Sequence, residues 1–147
     1  ILEGTAPALN AYLKPLADKL TRGAYSINFS LERNGDKTDF AIEAMNVEGG
    51  KSYDRFSKGE LVRVDLCVLL AIRRLMQERA CVKFGQCFID ELADGLDKEG
   101  MLGFIRLLRD KSIADQIIFI SREQTLKEAS VTVLTVKKSN GLSRVST

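Results

Sequence analysis

The stretch Gln86-Cys87-Phe88-Ile89-Asp90-Glu91 decides the fold class of this chain. Its centre is a short apolar run typical of a buried strand, and the run ends in two adjacent carboxylates. Open α/β sheets bind ligands just beyond the carboxyl ends of their strands, which is where Asp90 and Glu91 are expected. In nucleotide hydrolysis an aspartate at this place holds Mg²⁺, usually through water, and a neighbouring glutamate polarises the attacking water. An acidic loop leading into a helix explains the same pair, so this stretch alone leaves both interpretations open.

Helices and strands alternate on both sides of this stretch. Apolar residues cover nearly every side of the helix around 64–72, which predicts that the helix is buried. The strands over 87–89 and 117–120 are continuous apolar runs, which predicts burial on both faces. Residues 25–31 instead alternate apolar and polar groups, which is typical of a half-buried strand. We therefore expect α/β architecture with a partly parallel sheet, preceded by an N-terminal helix and a β-hairpin. The predicted elements are a helix over 7–21 that is kinked at Pro15 and ends at Gly23, a strand over 25–31, an Asn34-Gly35 turn, a return strand around 40–44, helices over 59–79 and 98–109, strands over 87–89 and 117–120, a short helix over 123–128, and strands over 131–136 and 142–145 joined by an Asn140-Gly141 turn.

Length and composition indicate one compact domain or one lobe of a larger one. The chain has 147 residues, of which 45% are hydrophobic and 29% charged, as in ordinary globular proteins. Its net charge of +2 gives no overall field toward nucleic acid or a membrane. No apolar run approaches the roughly 20 residues that a membrane span needs, so no membrane partner is expected. The chain starts at Ile1 in helix-like sequence, from which we expect an excised or trimmed segment.

The cysteines predict no metal site. Cys67, Cys81 and Cys87 lie among apolar residues without the spacing of metal ligands, and the chain has no histidine. We expect three reduced thiols in the core of a cytosolic protein.

The helix over 59–79 opens with Phe56-Ser57-Lys58-Gly59-Glu60. Ser57 and Glu60 have the spacing of a capping box, which explains them as a helix start. A serine hydroxyl, a lysine and free amides at a helix N-terminus also form an anion site, and Gly59 lets the backbone approach a phosphate. Further along, Asp94-Gly95-Leu96-Asp97 is a tight acidic turn in which Asp97 can cap the next helix.

The run Gly49-Gly50-Lys51-Ser52 ends like a phosphate-binding P-loop but does not fit the whole pattern. The pattern needs a glycine five residues before Gly50, where the chain has Met45. A P-loop also runs directly into a helix, whereas residues 53–56 intervene here. We interpret the run as a glycine turn, so the chain has no Walker A motif of its own.

The order of these segments resembles the C-terminal lobe of an ABC-type ATPase head, a P-loop NTPase fold. Residues 56–60 resemble the Leu-Ser-Gly-Gly-Glu/Gln signature, and 88–91 resemble Walker B. Asp97 falls on the aspartate of the D-loop, six residues after Glu91. Residues 117–120, followed by Ser121, resemble the strand that leads into the switch loop. Within this superfamily, Leu92 replaces the proline that transporters often carry after Walker B.

The upstream part resembles the exit of a long coiled coil into the head of an SMC-like DNA double-strand-break repair ATPase, the SbcC type that partners a nuclease. On this resemblance, residues 1–147 divide into the end of a coiled-coil helix (1–23), the hairpin (24–47) and the signature, Walker B, D-loop and switch region (56–136). The resemblance implies an N-terminal lobe that supplies the Walker A lysine, a second head joined through ATP, a nuclease subunit, and DNA contacted through the assembly.

The resemblance also implies roles for individual residues. Asp90 completes the Mg²⁺ site of the bound ATP, and Glu91 is the general base. Ser57 and Gly59 reach across a dimer interface to the γ-phosphate of the second head. The other residues assigned to nucleotide binding are Lys58, Glu60 and Asp97.

Two departures from the family pattern affect the chemistry. Lys58 replaces the first signature glycine, which adds a cation and removes backbone freedom. Arg122 occupies the place of the switch histidine, and arginine keeps a hydrogen-bond donor but cannot lose its proton. Hydrolysis is therefore expected to be slow or differently gated, as would suit a viral homologue.

Two alternatives stay open. A chromosome-organising SMC protein uses the same head to close a DNA clamp, and a non-catalytic interaction domain would explain the changes at Lys58 and Arg122. The expected location is the cytoplasm of a bacterial or infected cell, or the nucleus of a eukaryote.

Overall fold

The computed structural model of the protein describes residues 4–34, 37–48, 50 and 52–147, with side chains at all of these except 33, 34 and 37. The elements in chain order are α1 (Thr5–Thr21), β1 (Tyr25–Asn34), β2 (Lys37–Asn46), a 3₁₀ turn (Tyr53–Arg55), α2 (Lys58–Ala80), β3 (Gln86–Asp90), a second 3₁₀ turn (Leu92–Gly95), α3 (Lys98–Leu108), β4 (Gln116–Ile120), α4 (Gln124–Ala129), β5 (Thr135–Ser139) and β6 (Leu142–Ser146). The predicted α/β architecture with an N-terminal helix, a hairpin and a parallel pair of strands is confirmed.

Helix α1 lies at the centre of the core. Leu13 and Leu20 recur on one face of the helix and are fully buried, because α1 packs against α2, α3 and β1. The helix continues through Pro15. A kink at this residue stays a prediction. It ends where Arg22 and Gly23 adopt left-handed backbone conformations, with φ of 55° and 77°. Glycine enters this region without strain, so the predicted end at Gly23 is confirmed.

Strands β1 and β2 form the predicted antiparallel hairpin. Alternate residues Tyr25, Ile27 and Phe29 are 5–7% exposed, as expected for a strand with one face on the core. The Asn10 side chain of α1 donates to the carbonyl of Phe29 at 3.0 Å and accepts from its amide at 2.7 Å. These bonds attach the hairpin to α1. Of the predicted turn at 34–35, the second residue lies outside the described residues.

Strands β3 and β4 form a parallel pair. One face packs on α3, where the rings of Phe104 and Phe119 lie 6.5 Å apart. On the other face Phe88 is 69% exposed and Ile120 is 60% exposed. The prediction of burial on both faces was therefore wrong for the described part of the chain, because α3 covers only one side of the pair.

Helix α2 was predicted to be buried on nearly every side, and this is wrong for one face. Val64, Cys67 and Ala71 are fully buried against the core. Leu69 is 54% exposed and Met76 is 58% exposed. The physical reason is that α1, α3 and the second 3₁₀ turn pack on one side of α2 only.

Strands β5 and β6 pair with each other through a turn at 140–141. Asn140 and Gly141 both have positive φ, 49° and 79°, as a two-residue hairpin turn requires. The strand predicted over 131–136 was wrong in its first part, since β5 begins at Thr135. Thr135 pairs with Ser146, so residues 131–134 lie beyond the reach of β6.

The three cysteines are free thiols, and two of them are in the predicted place. Cys67 and Cys87 are buried, and burial raises the pKa of the Cys67 thiol to about 12. Cys81 is exposed, which corrects the prediction, because it follows the last turn of α2 in a left-handed conformation at φ 52°. Among the described residues, no helix is both long and apolar enough to cross a membrane.

Candidate functional site

The N-terminus of α2 is held by the predicted capping box. The Ser57 hydroxyl accepts from the amide of Glu60 at 3.4 Å, and the Glu60 carboxylate accepts from the amide of Ser57 at 2.6 Å. Tyr25 of β1 donates its hydroxyl to the same carboxylate at 3.2 Å. Burial raises the pKa of Tyr25 to about 12, so the phenol stays protonated and able to donate. The first turn of α2 is thereby fixed to the hairpin.

The carboxylates of Asp90, the last residue of β3, and of Glu91, which follows it, lie where the parallel pair of strands ends. The amide of Glu91 donates to the carbonyl of Ile120, the last residue of β4, at 2.9 Å. Glu91 has φ 49° and ψ −1°, a left-handed conformation that costs a non-glycine residue about 1 kcal/mol or more. Such strain is often found at functional sites. Both Asp90 and Glu91 are exposed at this edge.

An open cavity of about 390 Å³ joins the end of the sheet to the start of α2. Lys58 and Val62 of α2 line one side, and Glu91 and Arg122 line the other. The Arg122 guanidinium lies 3.8 Å from the Glu91 carboxylate, and its side chain is 89% exposed. The structure thus brings Lys58, Glu91 and Arg122, which are far apart in sequence, to one cavity.

The turn that precedes α3 packs directly against the start of α2. A Cβ atom added to Gly59 would lie 3.3 Å from both the amide nitrogen of Asp97 and the carbonyl oxygen of Gly95. Glycine therefore permits this close backbone approach. Asp94 of the same turn accepts a hydrogen bond from Ser121, just after β4. All the residues predicted for the site lie at this end of the molecule.

Asp97 is the predicted N-cap of α3. One of its carboxylate oxygens accepts from the amide of Gly100 at 2.8 Å and also from the guanidinium of Arg63 on α2. The hydrogen bond from Arg63, and to a smaller extent the one from Gly100, hold the pKa of Asp97 below its usual value. Asp97 is thus anionic at neutral pH.

Arg63 and Tyr25 belong to this network although the sequence did not assign them to the site. Arg63 is only 3% exposed, and its guanidinium carbon lies 5.8 Å from the centre of the Tyr25 ring. The available signal was a charged residue within the apolar stretch of a helix predicted to be buried, because a buried charge must be paired.

The run at 49–52 lies partly outside the described residues, since positions 49 and 51 are not described. Ser52 forms an isolated bridge with Met45. The 3₁₀ turn over 53–55 then intervenes before α2 begins at Lys58. No α-helix therefore starts directly after this run, as a P-loop would require.

The residues at the end of β3 fit a magnesium ion held together with a nucleotide. Within the described ranges, no group of three or more Asp, Glu, Cys or His side chains could hold a metal ion alone. Mg²⁺ usually keeps several waters and takes one or two carboxylates plus substrate phosphates. The carboxylate of Asp90, exposed at the sheet edge, suits that role and does not form a protein-only cage.

The chain is similar to known proteins in sequence and in structure. No protein-family model matches it. It is 26% identical over 117 residues to the probable exonuclease subunit 2 of Escherichia phage T5, a match that covers 80% of this chain and 18% of that protein. The chain therefore spans less than a fifth of the length of this relative.

Solved structures of SMC proteins share its fold. One, from work on ATP-driven dimerisation and DNA-stimulated activation of SMC ATPases, has a TM-score of 0.82 at 20% identity, covering 99% of this chain and 86% of that chain. An Smc head domain with a coiled coil from Pyrococcus yayanosii has a TM-score of 0.76 at 23% identity, covering 95% and 26%. The SMC head domain from Thermotoga maritima has a TM-score of 0.64 at 23% identity, covering 95% and 46%. The fold is thus that of the C-terminal lobe of an SMC-type ATPase head, as the sequence predicted.

Proposed function

We propose that this chain is the C-terminal lobe of an ATP-hydrolysing head in a DNA double-strand-break repair or recombination complex. The observation that carries the proposal is the cavity shared by the start of α2 and the ends of β3 and β4. There Lys58, Glu91 and Arg122 meet beside the capped Ser57. Cations, a helix N-terminus and a carboxylate are the groups that phosphoryl transfer to water uses.

Asp90 and Glu91 would act on a nucleotide held in the same head. Asp90 would hold Mg²⁺, which neutralises phosphate charge as it develops. Glu91 would accept a proton from the attacking water as general base. Its left-handed backbone and its amide bond to Ile120 orient it at the sheet edge. Arg122 would donate to the phosphate from the position of the switch residue.

Ser57, Lys58 and Gly59 would contact the γ-phosphate bound by a second head. The capping box leaves the first turn of α2 ordered before any ligand arrives, so little entropy is lost on binding. Glu60 keeps this turn in place, and Asp97 lies against it. ATP would then join two heads, because both contact the same charged group.

The exposed apolar surface supports the requirement for an N-terminal Walker A lobe. Phe88 and Ile120 on the open face of the parallel pair are 69% and 60% exposed, and Val136 and Val145 on β5–β6 are each 65% exposed. A two-stranded hairpin is marginally stable alone. The solved SMC heads from Pyrococcus and Thermotoga extend well beyond the matched part, which suits an N-terminal lobe as the covering partner.

The choice of a nuclease complex rests on the phage relative, which is named as a probable exonuclease subunit. The second candidate is a chromosome-organising DNA clamp, favoured by the likeness to SMC heads. A catalytically decayed interaction domain is the third, and the substitutions Lys58 and Arg122 are its support.

The test is Glu91→Gln in the assembled ATPase, which contains this chain and the lobe with the P-loop. Loss of the general base should lower kcat for ATP by about 100-fold or more and leave ATP-dependent dimerisation intact. Glu128→Gln, an exposed carboxylate on α4, is the matched control. Turnover of Glu91→Gln within twofold of the unmodified protein would contradict the base assignment, and no turnover in the unmodified assembly would favour the decayed domain.

A further inference from the structure

A buried arginine connects the start of α2 to the start of α3. Among the described residues, Arg63 is the one charged side chain that is buried. A buried charge is costly unless it is paired. Arg63 pairs with Asp97, 34 positions along the chain, through its Nη2 atom. It therefore holds together two segments that are both predicted to reach a nucleotide.

Further contacts connect Arg63 to the Ser57 turn, although its buried Nε atom has no hydrogen-bond partner among the described residues. Its guanidinium lies over the ring of Tyr25, whose hydroxyl is bonded to Glu60. Glu60 in turn holds the amide of Ser57. A continuous set of contacts thus runs from the Ser57 turn to the Asp97 carboxylate.

Gly100 provides the space for the pair. A Cβ atom at this position would lie 2.8 Å from Nε of Arg63 and 2.9 Å from Oδ1 of Asp97. Both distances are shorter than side-chain carbons tolerate. Any other residue at this position, the third of α3, must therefore shift the side chain of Arg63 or Asp97.

We infer that Arg63 is a positioning residue, which transmits the state of the Ser57 turn to Asp97 and, through the turn over 92–95, to Glu91. This inference rests on the proposed function and adds a regulatory contact to its site. When Ser57 binds the phosphate of a second head, the start of α2 becomes fixed. Arg63 then fixes the position of Asp97 and, with it, the segment over 91–97 that begins at Glu91. Each head would then hydrolyse ATP efficiently only when the other is engaged.

The test uses the assembled ATPase with Arg63→Met, which keeps the length and apolar stem of the side chain but removes the guanidinium. We expect kcat, normalised to ATP bound per head, to fall by about tenfold or more, since Asp97 loses its bond from the buried guanidinium. KM for ATP should stay within twofold. Arg79→Met is the matched control, because Arg79 lies at the far end of α2 and contacts Thr5.

Two further variants separate coupling from a structural role. Gly100→Ala keeps both charges and has a better helix former, so it should fold and yet lower kcat in the same way. In a double-mutant cycle, Arg63→Met combined with Asp97→Asn should be no slower than the slower single variant.

The possible failures are distinguishable. If the unmodified assembly shows no turnover that depends on Glu91, the proposed function and this inference both fall. If turnover depends on Glu91 but Arg63→Met and Gly100→Ala keep the unmodified kcat, only the coupling is overturned. If Arg63→Met does not fold, Gly100→Ala decides alone. Additive losses in the cycle would also overturn the coupling.

Discussion

Helix α3 contacts α1 so closely at Gly103 that alanine at this position should destabilise the protein, although alanine favours a helix more than glycine does. A Cβ atom added to Gly103 would lie 2.2 Å from the carbonyl oxygen of Leu20 and 3.0 Å from its Cα. Cβ atoms essentially never approach closer than 3.0 Å, so Gly103→Ala must open the first contact by at least 0.8 Å (3.0 − 2.2). The obstacle is helix backbone, which cannot rotate away as a side chain can.

The magnitude follows from two opposing effects. Alanine in place of glycine in a helix interior gains about 1 kcal/mol. Overpacking a close contact costs about 1–3 kcal/mol, occasionally more, and a backbone clash belongs at the upper end. Separating the helices also loosens the packing of Leu20 and Phe104, both at most 1% exposed. We expect a net loss of about 2 kcal/mol in the free energy of unfolding.

The assay is urea unfolding followed by circular dichroism, with Leu102→Ala as the control on the same helix. Leu102 is 44% exposed, so its substitution should change the free energy of unfolding by less than about 1 kcal/mol. Unchanged or increased stability of Gly103→Ala would refute the backbone contact between α1 and α3, since propensity alone would then decide the outcome.

Two further predictions concern the signature turn and the far end of α1. In the assembled ATPase, Ser57→Arg should prevent ATP-dependent dimerisation in size-exclusion chromatography and leave nucleotide binding nearly unchanged. The control Ser112→Arg should behave as the unmodified protein. A Ser57→Arg variant that still dimerises would contradict the signature role. A hydrogen bond from Lys19, and to a smaller extent those from Ser112, lower the pKa of Asp110 to about 2. Because this folded-state pKa is below the ordinary 3.8, the stabilisation is complete above that value and is lost as pH falls toward 2. Asp110→Asn should therefore cost of order 1 kcal/mol at pH 7, since Lys19 is half exposed, and progressively less as pH falls through about 2; equal losses in acid and neutral unfolding curves would contradict this.

Local features of the site were predictable from the sequence. The capping box of Ser57 and Glu60 and the cap at Asp97 join residues three positions apart. Interactions over this range depend on helix geometry, which the sequence pattern specifies directly. The step of six residues from Glu91 to Asp97 also needed no tertiary information.

Burial was predicted less well. The open faces of β3–β4 and of α2 have core-like sequence, yet Phe88 and Leu69 are 69% and 54% exposed. An apolar pattern predicts that a surface is buried, but it does not identify the segment that covers this surface. The pattern therefore predicted burial that the described part of this chain does not supply.

The sequence by itself determined the order of the elements, their caps and the spacing of the carboxylates, because these depend on neighbours within one helical turn or one strand. Only the tertiary structure decided that Glu91 takes a left-handed backbone beside Arg122, and that Arg63 lies buried against Asp97. Those contacts join residues 31 (122 − 91) and 34 (97 − 63) positions apart. The first contact exists because β3 and β4 pair side by side and end together. The second exists because α2 packs against the turn before α3, at a distance that Gly59 and Gly100 permit.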